Sequence, residues 1–585
     1  MTCSTPERVD GAERLGELPT ATIRPRAARR FVGRGCNVRP VNRWHRYWFD
    51  EGGRYAAAIV RIAIAVAVLM SLSRLSTLST LVAPEGLYRP VGIWMLLGRT
   101  PPAPALIDAL WAIAWVSTFA MLVGAFTRAS TVVSFVSAVA LAAVSFSGRD
   151  TWSHQYNVVF LAQLAFLGAR GGDVLSVDAV IRRLRGLPSR DEPRGYQWSL
   201  RLVQLAVALM FFCAFFYKIA HGHGTLRWAL TDNLRHQLLM RYDLAGLDRP
   251  ALVDWLLADV WRYRTAAMLN LVSQAAPILA VIFARRPLVR AAAGALFVTE
   301  VVALELVVSL WNPAWLPLAA VFVDWDALVG WGARRLGRPL PGPASTSATS
   351  FSPPRGRRTF IVVFVVYDVV TSFVPTLDQR LNTFPFSGFP MFAKLRVQPP
   401  YDEHRPFSVA ADHVVALDTE IHARAQRWLD NHHRGIFRER SQARIRKKLE
   451  VILAKAPERY PELSIRGVRH YLAIFEAPAY PAPARFERHP VAITGELRPD
   501  GVFRSLLGSI RRTAGGLTVE LRPANLDLTG DLRFVYYRDD QPTPIDVTPT
   551  SRTGTTFTFP ALPGRPLYLV VLVDGLPWLV GTLSS

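Results

Sequence analysis

A charge placed in hydrocarbon costs roughly 2.5–3.5 kcal/mol on insertion scales, so an ionisable side chain inside an apolar run is retained where something pairs or uses it. Lys218 closes the run Phe211-Phe-Cys-Ala-Phe-Phe-Tyr-Lys. It reads either as a lysine at a helix end that lifts its ammonium to the interface, or as a base whose proton can leave. Cation usage favours the base: arginine serves for every other cation before Lys394, and arginine does not give up its proton. His154, in Arg149-Asp-Thr-Trp-Ser-His-Gln-Tyr-Asn157, reads as an interfacial hydrogen-bonding group or as a polar partner for Lys218. His221 and His223 follow Lys218 closely, but two histidines without a third ligand do not make a metal site. Glu300 and Glu305 sit in a later apolar run and must face the bundle interior, either paired with an arginine such as Arg61 or carrying protons.

The elements that position these groups are apolar runs of about 20 residues, the length that crosses a bilayer. They fall at about 55–73, 104–126, 129–147, 156–169, 198–220, 265–284, 289–311, 312–330 and 359–375, which predicts roughly nine spans. The fourth is short, and the eighth begins at Trp311-Asn312-Pro313. The fold class expected is a polytopic α-helical membrane protein with an exported C-terminal α+β region, its last part β-sandwich-like. The lipid bilayer is its first partner.

A net charge of +23 resembles a nucleic-acid signature, but the arginines cluster in short segments between apolar runs, so no nucleic-acid partner is expected. Loop 170–197 carries Arg170, Arg182, Arg183, Arg185, Arg190 and Arg194; the turn Arg285-Arg286 and the segment Arg334–Arg358 are also basic. With the N-terminal tail inside, all of these fall on the cytoplasmic side. Residues 74–103, 148–155, 221–264 and the C-terminal region then lie outside the cell membrane. No cysteine follows Cys213, so the exported part has no disulfide framework. Residues 1–50 lack an apolar core and read as a disordered basic tail rather than a signal peptide.

The remaining divisions follow composition. Residues 51–335 form the bundle, 336–358 a linker with Pro341-Gly342-Pro343, and 359–376 the last span. The aromatic, proline-rich stretch from Asn382 to Phe392 suits a membrane surface. Residues 377–486 read as mostly helical, with helical spacing in Ala411–Leu429 and Ser441–Leu453. His432-His433 and the run Arg438–Lys448 read as solvated helix faces. Residues 487–585 turn to strands at Leu517–Leu521, Leu532–Tyr537, Thr555–Phe559, Leu567–Val573 and Leu576–Val580, with Asp574-Gly575 as a hairpin turn.

Trp152-Ser-His-Gln-Tyr, the apolar run after it, Ser176-Val-Asp178 and Phe215-Phe-Tyr-Lys218 occur in an order that resembles the vitamin K-dependent gamma-glutamyl carboxylases. They also resemble the wider bacterial group of HTTM (horizontally transferred transmembrane domain) proteins. The resemblance covers about residues 50–330. It implies that Lys218 is the catalytic base that deprotonates a reduced quinone of the vitamin K type, with His154 in the same centre. It likewise implies Trp152 and Tyr217 as the residues against the quinone, and an exported protein or peptide as the substrate. Where the carboxylases carry a small Ala-Gly pair and a further lysine, this chain has Phe215-Phe216 and Tyr217. The alternative is a non-catalytic membrane scaffold or lipid-binding protein whose exported region recruits a partner.

Overall fold

The computed structural model describes residues 43–50, 52–75, 87–98, 100–147, 154–188, 194–244, 247–337, 353–373, 392–432, 435–513, 515–538, 541–564 and 566–583. Most of the linker, Trp152, most of the N-terminal tail and the aromatic stretch before Phe392 lie outside them. Among the described residues six helices are long and apolar enough to cross a membrane: α1 (Arg54–Arg74), α2 (Pro104–Val123), α3 (Thr127–Ser147), the helix Gln197–His221, Val260–Ile282 and Pro287–Val308.

The nine-span expectation exceeds this count at three places, the fourth, eighth and last runs, and at the first two the reason is visible. The fourth run folds as a helix of 10 residues, α4 (Asn157–Phe166), buried on almost every side. Short α5 (Val177–Leu184) follows it, then the Gln197–His221 helix, here α6. Asn233–Leu239 is α7, Val260–Ile282 is α8 and Pro287–Val308 is α9. The eighth run breaks: a 3-10 helix, Pro313–Phe322, meets α10 (Trp325–Arg335) at 74°, which makes a seventh span if the pair counts as one. Pro317 lies inside the 3-10 segment and Asp324 caps α10, so proline removes a backbone donor and the cap starts a new axis. The last run forms α11 (Arg355–Phe373), with Ile361, Phe364, Asp368 and Ser372 as its buried stripe.

The outward faces are apolar. Ile113, Val116 and Phe119 on α2, Val132, Val133 and Val136 on α3, and Val362, Val363 and Val366 on α11 are all exposed. A water-soluble protein rarely leaves such surface uncovered, whereas lipid covers it without cost.

Contacts sort the loops to two ends of the bundle. At one end Arg61 reaches Gly171 and Leu175, Arg285 pairs with Asp50 at 3.0 Å, and Asp326 accepts from the Tyr55 and Ala56 amides. At the other, Trp315 donates to the Gln155 carbonyl, Arg241 to those of Val308 and Ser309, and Arg89 pairs with Glu439. The basic loops thus share one end, while 221–264 and the C-terminal region share the opposite one.

The C-terminal part is strand-rich from an earlier point than the sequence suggested. Phe407–Ala416, expected as helix, is β1; it pairs antiparallel with β2 (Val468–Ala477), which pairs with β3 (Glu487–Leu497). Helices α12 (Ala423–His432) and α13 (Gln442–Arg459) cover this corner. The strands β4 (Phe503–Thr513), β5 (Gly516–Ala524), β6 (Arg533–Arg538), β7 (Gln541–Val547), β8 (Ser551–Thr553), β9 (Thr556–Pro560), β10 (Pro566–Val573) and β11 (Leu576–Thr582) follow. They run in the order β7-β6-β10-β11-β3-β4-β5-β9-β8. The sheet folds over itself: Phe534 of β6 packs at an angle against Phe557 and Phe559 of β9, with ring centres 4.9 and 5.0 Å apart. The Asp574-Gly575 hairpin forms as expected, both residues at positive φ, joining β10 to β11.

Candidate functional site

Lys218 lies near the C-terminal end of α6 and is 1% exposed. Its Nζ donates to Asn270 Oδ1 at 2.8 Å and Gln274 Oε1 at 2.7 Å, and stands 4.3 Å from the centre of the Trp228 ring. Asn270 and Gln274 are four residues apart on α8, so they point from one face. Their amide nitrogens donate onward to Glu300 Oε1 at 2.6 and 2.8 Å, and the Ser273 hydroxyl donates to Glu300 Oε2. Glu300 belongs to α9 and is 2% exposed. Both amides are therefore oriented by charge, oxygen towards the ammonium and nitrogen towards the carboxylate; turning either one would break two bonds. Lys218 and Glu300 form an ion pair bridged by neutral side chains across α6, α8 and α9.

Glu300 does face the interior, but its partner is not Arg61. The Arg61 guanidinium donates to the carbonyls of Gly171 at 2.6 Å and Leu175 at 2.7 Å, at the opposite end. Glu305 is half-buried, and its Oε2 has no hydrogen-bond partner among the described residues. The Ser176-Val-Asp178 element sits with Arg61. Ser176 Oγ accepts from the Ala179 amide at the start of α5, and Asp178 accepts from the Phe126 and Thr127 amides and the Thr127 hydroxyl at the start of α3. It is a double cap that pins the α2–α3 turn. The turn leaves no room for a side chain, since a Cβ on Gly124 would lie 2.4 Å from that of Ser176.

Tyr217 is buried on a neighbouring face of α6, in a cluster with Leu205, Leu209, Cys213 and Ala393, and its hydroxyl has no hydrogen-bond partner among the described residues. His154 begins the short 3-10 turn His154–Tyr156 before α4; its side chain, like Trp152, is outside the described residues. His221 Nδ1 contacts the Tyr217 carbonyl at 2.8 Å, and His223 Nε2 lies 3.4 Å from the Tyr401 hydroxyl. Among the described residues no group of three or more His, Cys, Asp or Glu could hold a metal ion.

A polar joint closes the Lys218 end. Trp228 Nε1 donates to the Phe392 carbonyl at 2.9 Å. On α7, Asn233 accepts from the Arg396 amide, His236 Nδ1 lies 2.7 Å from the Arg396 carbonyl, and Gln237 donates to the Lys394 carbonyl. Asp232 accepts from Tyr263 Oη and lies 2.6 Å from His404 Nδ1. Behind these bonds, Trp228, Leu238 and Tyr263 share a core with Ala473 and Phe475 of β2 and with Phe486. Burial holds the His236 imidazole down at about 4, so it is neutral and donates through Nδ1. Asp232 is pushed up by burial but pulled further down by Tyr263 and His404, and ends below the usual carboxylate range.

Asn270, Ser273, Gln274 and Trp228 were not singled out from the sequence. The one signal was spacing: three polar residues, Asn270, Ser273 and Gln274, within five positions of a run otherwise able to cross a membrane. No family model matches the chain, and no curated protein or solved structure matches it either.

Proposed function

We propose that this chain is a multi-pass membrane protein of the HTTM type, whose bundle uses Lys218 as a base towards a reduced quinone. The observation that carries the reading is the bridged Lys218–Glu300 pair, a lysine kept in the bundle with its counter-charge provided. The surroundings suit an apolar aromatic ligand: the Trp228 face lies next to Nζ and belongs to an apolar cluster that Phe215 and Ile219 pack against. A reduced quinone bound there would supply reducing equivalents and an acidic hydroxyl. Lys218 would take that proton as the neutral amine, once its own proton had left; Asn270 and Gln274 would accept from the ammonium so restored, and Glu300 would balance its charge. In this reading the basic loops face the cytoplasm and the joint and strand-rich part face outwards, where an exported protein or peptide is the acceptor. Carboxylation of glutamate is the sharpest form of the proposal.

The non-catalytic scaffold has one observation in its favour. Two acceptors and a ring satisfy the ammonium, and three donors satisfy the carboxylate, which also describes a clamp between helices. Oxygen uptake by the purified protein with a reduced quinone separates the readings. The enzyme reading expects uptake by the wild type and none by Lys218→Ala or by Lys218→Arg, which keeps the charge but not the exchangeable proton. Equal uptake by all three overturns it. The scaffold reading expects cells to tolerate removal of both charges together, Lys218→Met with Glu300→Gln, and to lose function on truncation after Pro375.

A further inference from the structure

A second acid lies in the bundle, away from the Lys218 pair. Asp368 is on the buried stripe of α11 and is 2% exposed. It lines a cavity between α4, α6 and α11 together with Asn157, Val158, Leu161, Ala206, Met210, Cys213 and Ser372, large enough to take a water. Its Oδ2 is buried with no hydrogen-bond partner among the described residues, and no cation pairs with it there. The neighbouring titratable groups are the Cys213 thiol on α6, hydrogen-bonded to Ser372, and Tyr367 beside it on α11. Neither brings positive charge, and among the described residues lining the cavity the α4 side offers only the neutral amide of Asn157.

A carboxylate in such a place has no means of offsetting its lost hydration, whereas a carboxylic acid does not need one and can donate a hydrogen bond into the cavity. We propose that Asp368 carries its proton at neutral pH and, with the cavity between α4, α6 and α11, forms a proton-binding site inside the bundle. The site is independent of the quinone reading, because α6 presents Cys213 to it and Lys218 to α8. Its ligand is a proton, exchanged through the cavity.

The test uses the full-length protein in liposomes and the apolar reagent dicyclohexylcarbodiimide at neutral pH. A protonated carboxyl adds across a C=N bond of the reagent: its oxygen bonds the central carbon, its proton goes to nitrogen, and the acyl group then migrates to nitrogen with no atom lost. Peptide mass spectrometry should find one reagent mass on Asp368, falling as the pH is raised, and none on Glu300. Asp368→Asn should lose that adduct while melting as the wild type does at neutral pH, because an amide imitates the neutral acid. No adduct at Asp368, or equal yields at Asp368 and Glu300, overturns the proposal. So does a clear shift of the Asp368→Asn melting point at neutral pH.

Discussion

Glu300 and Asp368 are buried to the same degree, 2% exposed each, yet they sit in opposite company. Glu300 accepts from Asn270, Ser273 and Gln274 and faces Lys218 through the amides. Asp368 has a buried oxygen with no donor among the described residues. Depth in an apolar bundle therefore does not define what an acid is doing; the donors placed around it do. One acid is equipped as an anion in a fixed pair, and the other as a neutral group beside a cavity.

The largest effect should come from splitting the pair. Glu300→Ala leaves the Lys218 ammonium buried without its counter-charge and should cost about 3–5 kcal/mol of stability. The double change Lys218→Met with Glu300→Gln removes both charges and should cost less than the sum of Lys218→Met and Glu300→Gln made singly, read by thermal unfolding in detergent. Costs that simply add would mean the two groups are not a pair.

His236 is a third case, a buried neutral group with one hydrogen bond. Its imidazole titrates at about 4 in the folded chain against an ordinary 6.5. The unfolded chain takes up the proton first, so the stabilisation is fully present above 6.5 and is lost as pH falls towards 4. The loss should be on the order of 3 kcal/mol and fall on the joint between α7 and the Arg396 segment. Hydrogen exchange of the Arg396 segment should rise over that interval, and His236→Asn, whose amide replaces Nδ1, should flatten the dependence. Smaller again is Asn270→Leu, which deletes one bridge while Gln274 keeps the other; about 1–3 kcal/mol is expected from the unsatisfied groups. Smallest is Asp368→Asn, expected within about 0.5 kcal/mol at neutral pH, like a surface change despite its burial.

The sequence made the charged half of this comparison legible and the neutral half nearly invisible. Lys218 and Glu300 break apolar runs, and breaking a run is a strong signal. Asn270, Ser273 and Gln274 carry no charge and disturb the hydropathy of their span little, so the bridge could not be read from Lys218 alone. Asp368 broke a run too, but nothing in one dimension separates it from Glu300, because the difference lies in which helices meet. Strands β5, β6, β9, β10 and β11 were legible from their β-rich runs and turns. Phe407–Ala416 was not, since it packs on the bundle side through Phe407, Val409 and Ala411 and on α12 and α13 through Val414. With core on both faces, its alternation disappears. The bent 3-10 and α10 pair passed for one span because apolar length says nothing of a break at a capping aspartate.

Infrared spectra of the wild type, Asp368→Asn and Glu300→Gln at neutral pH test the central contrast most directly. A protonated buried carboxyl gives a C=O band well above those of carboxylates and amides. The band should be present in the wild type and in Glu300→Gln and absent from Asp368→Asn. A band that vanishes with Glu300→Gln and survives Asp368→Asn would reverse the two assignments and contradict the account.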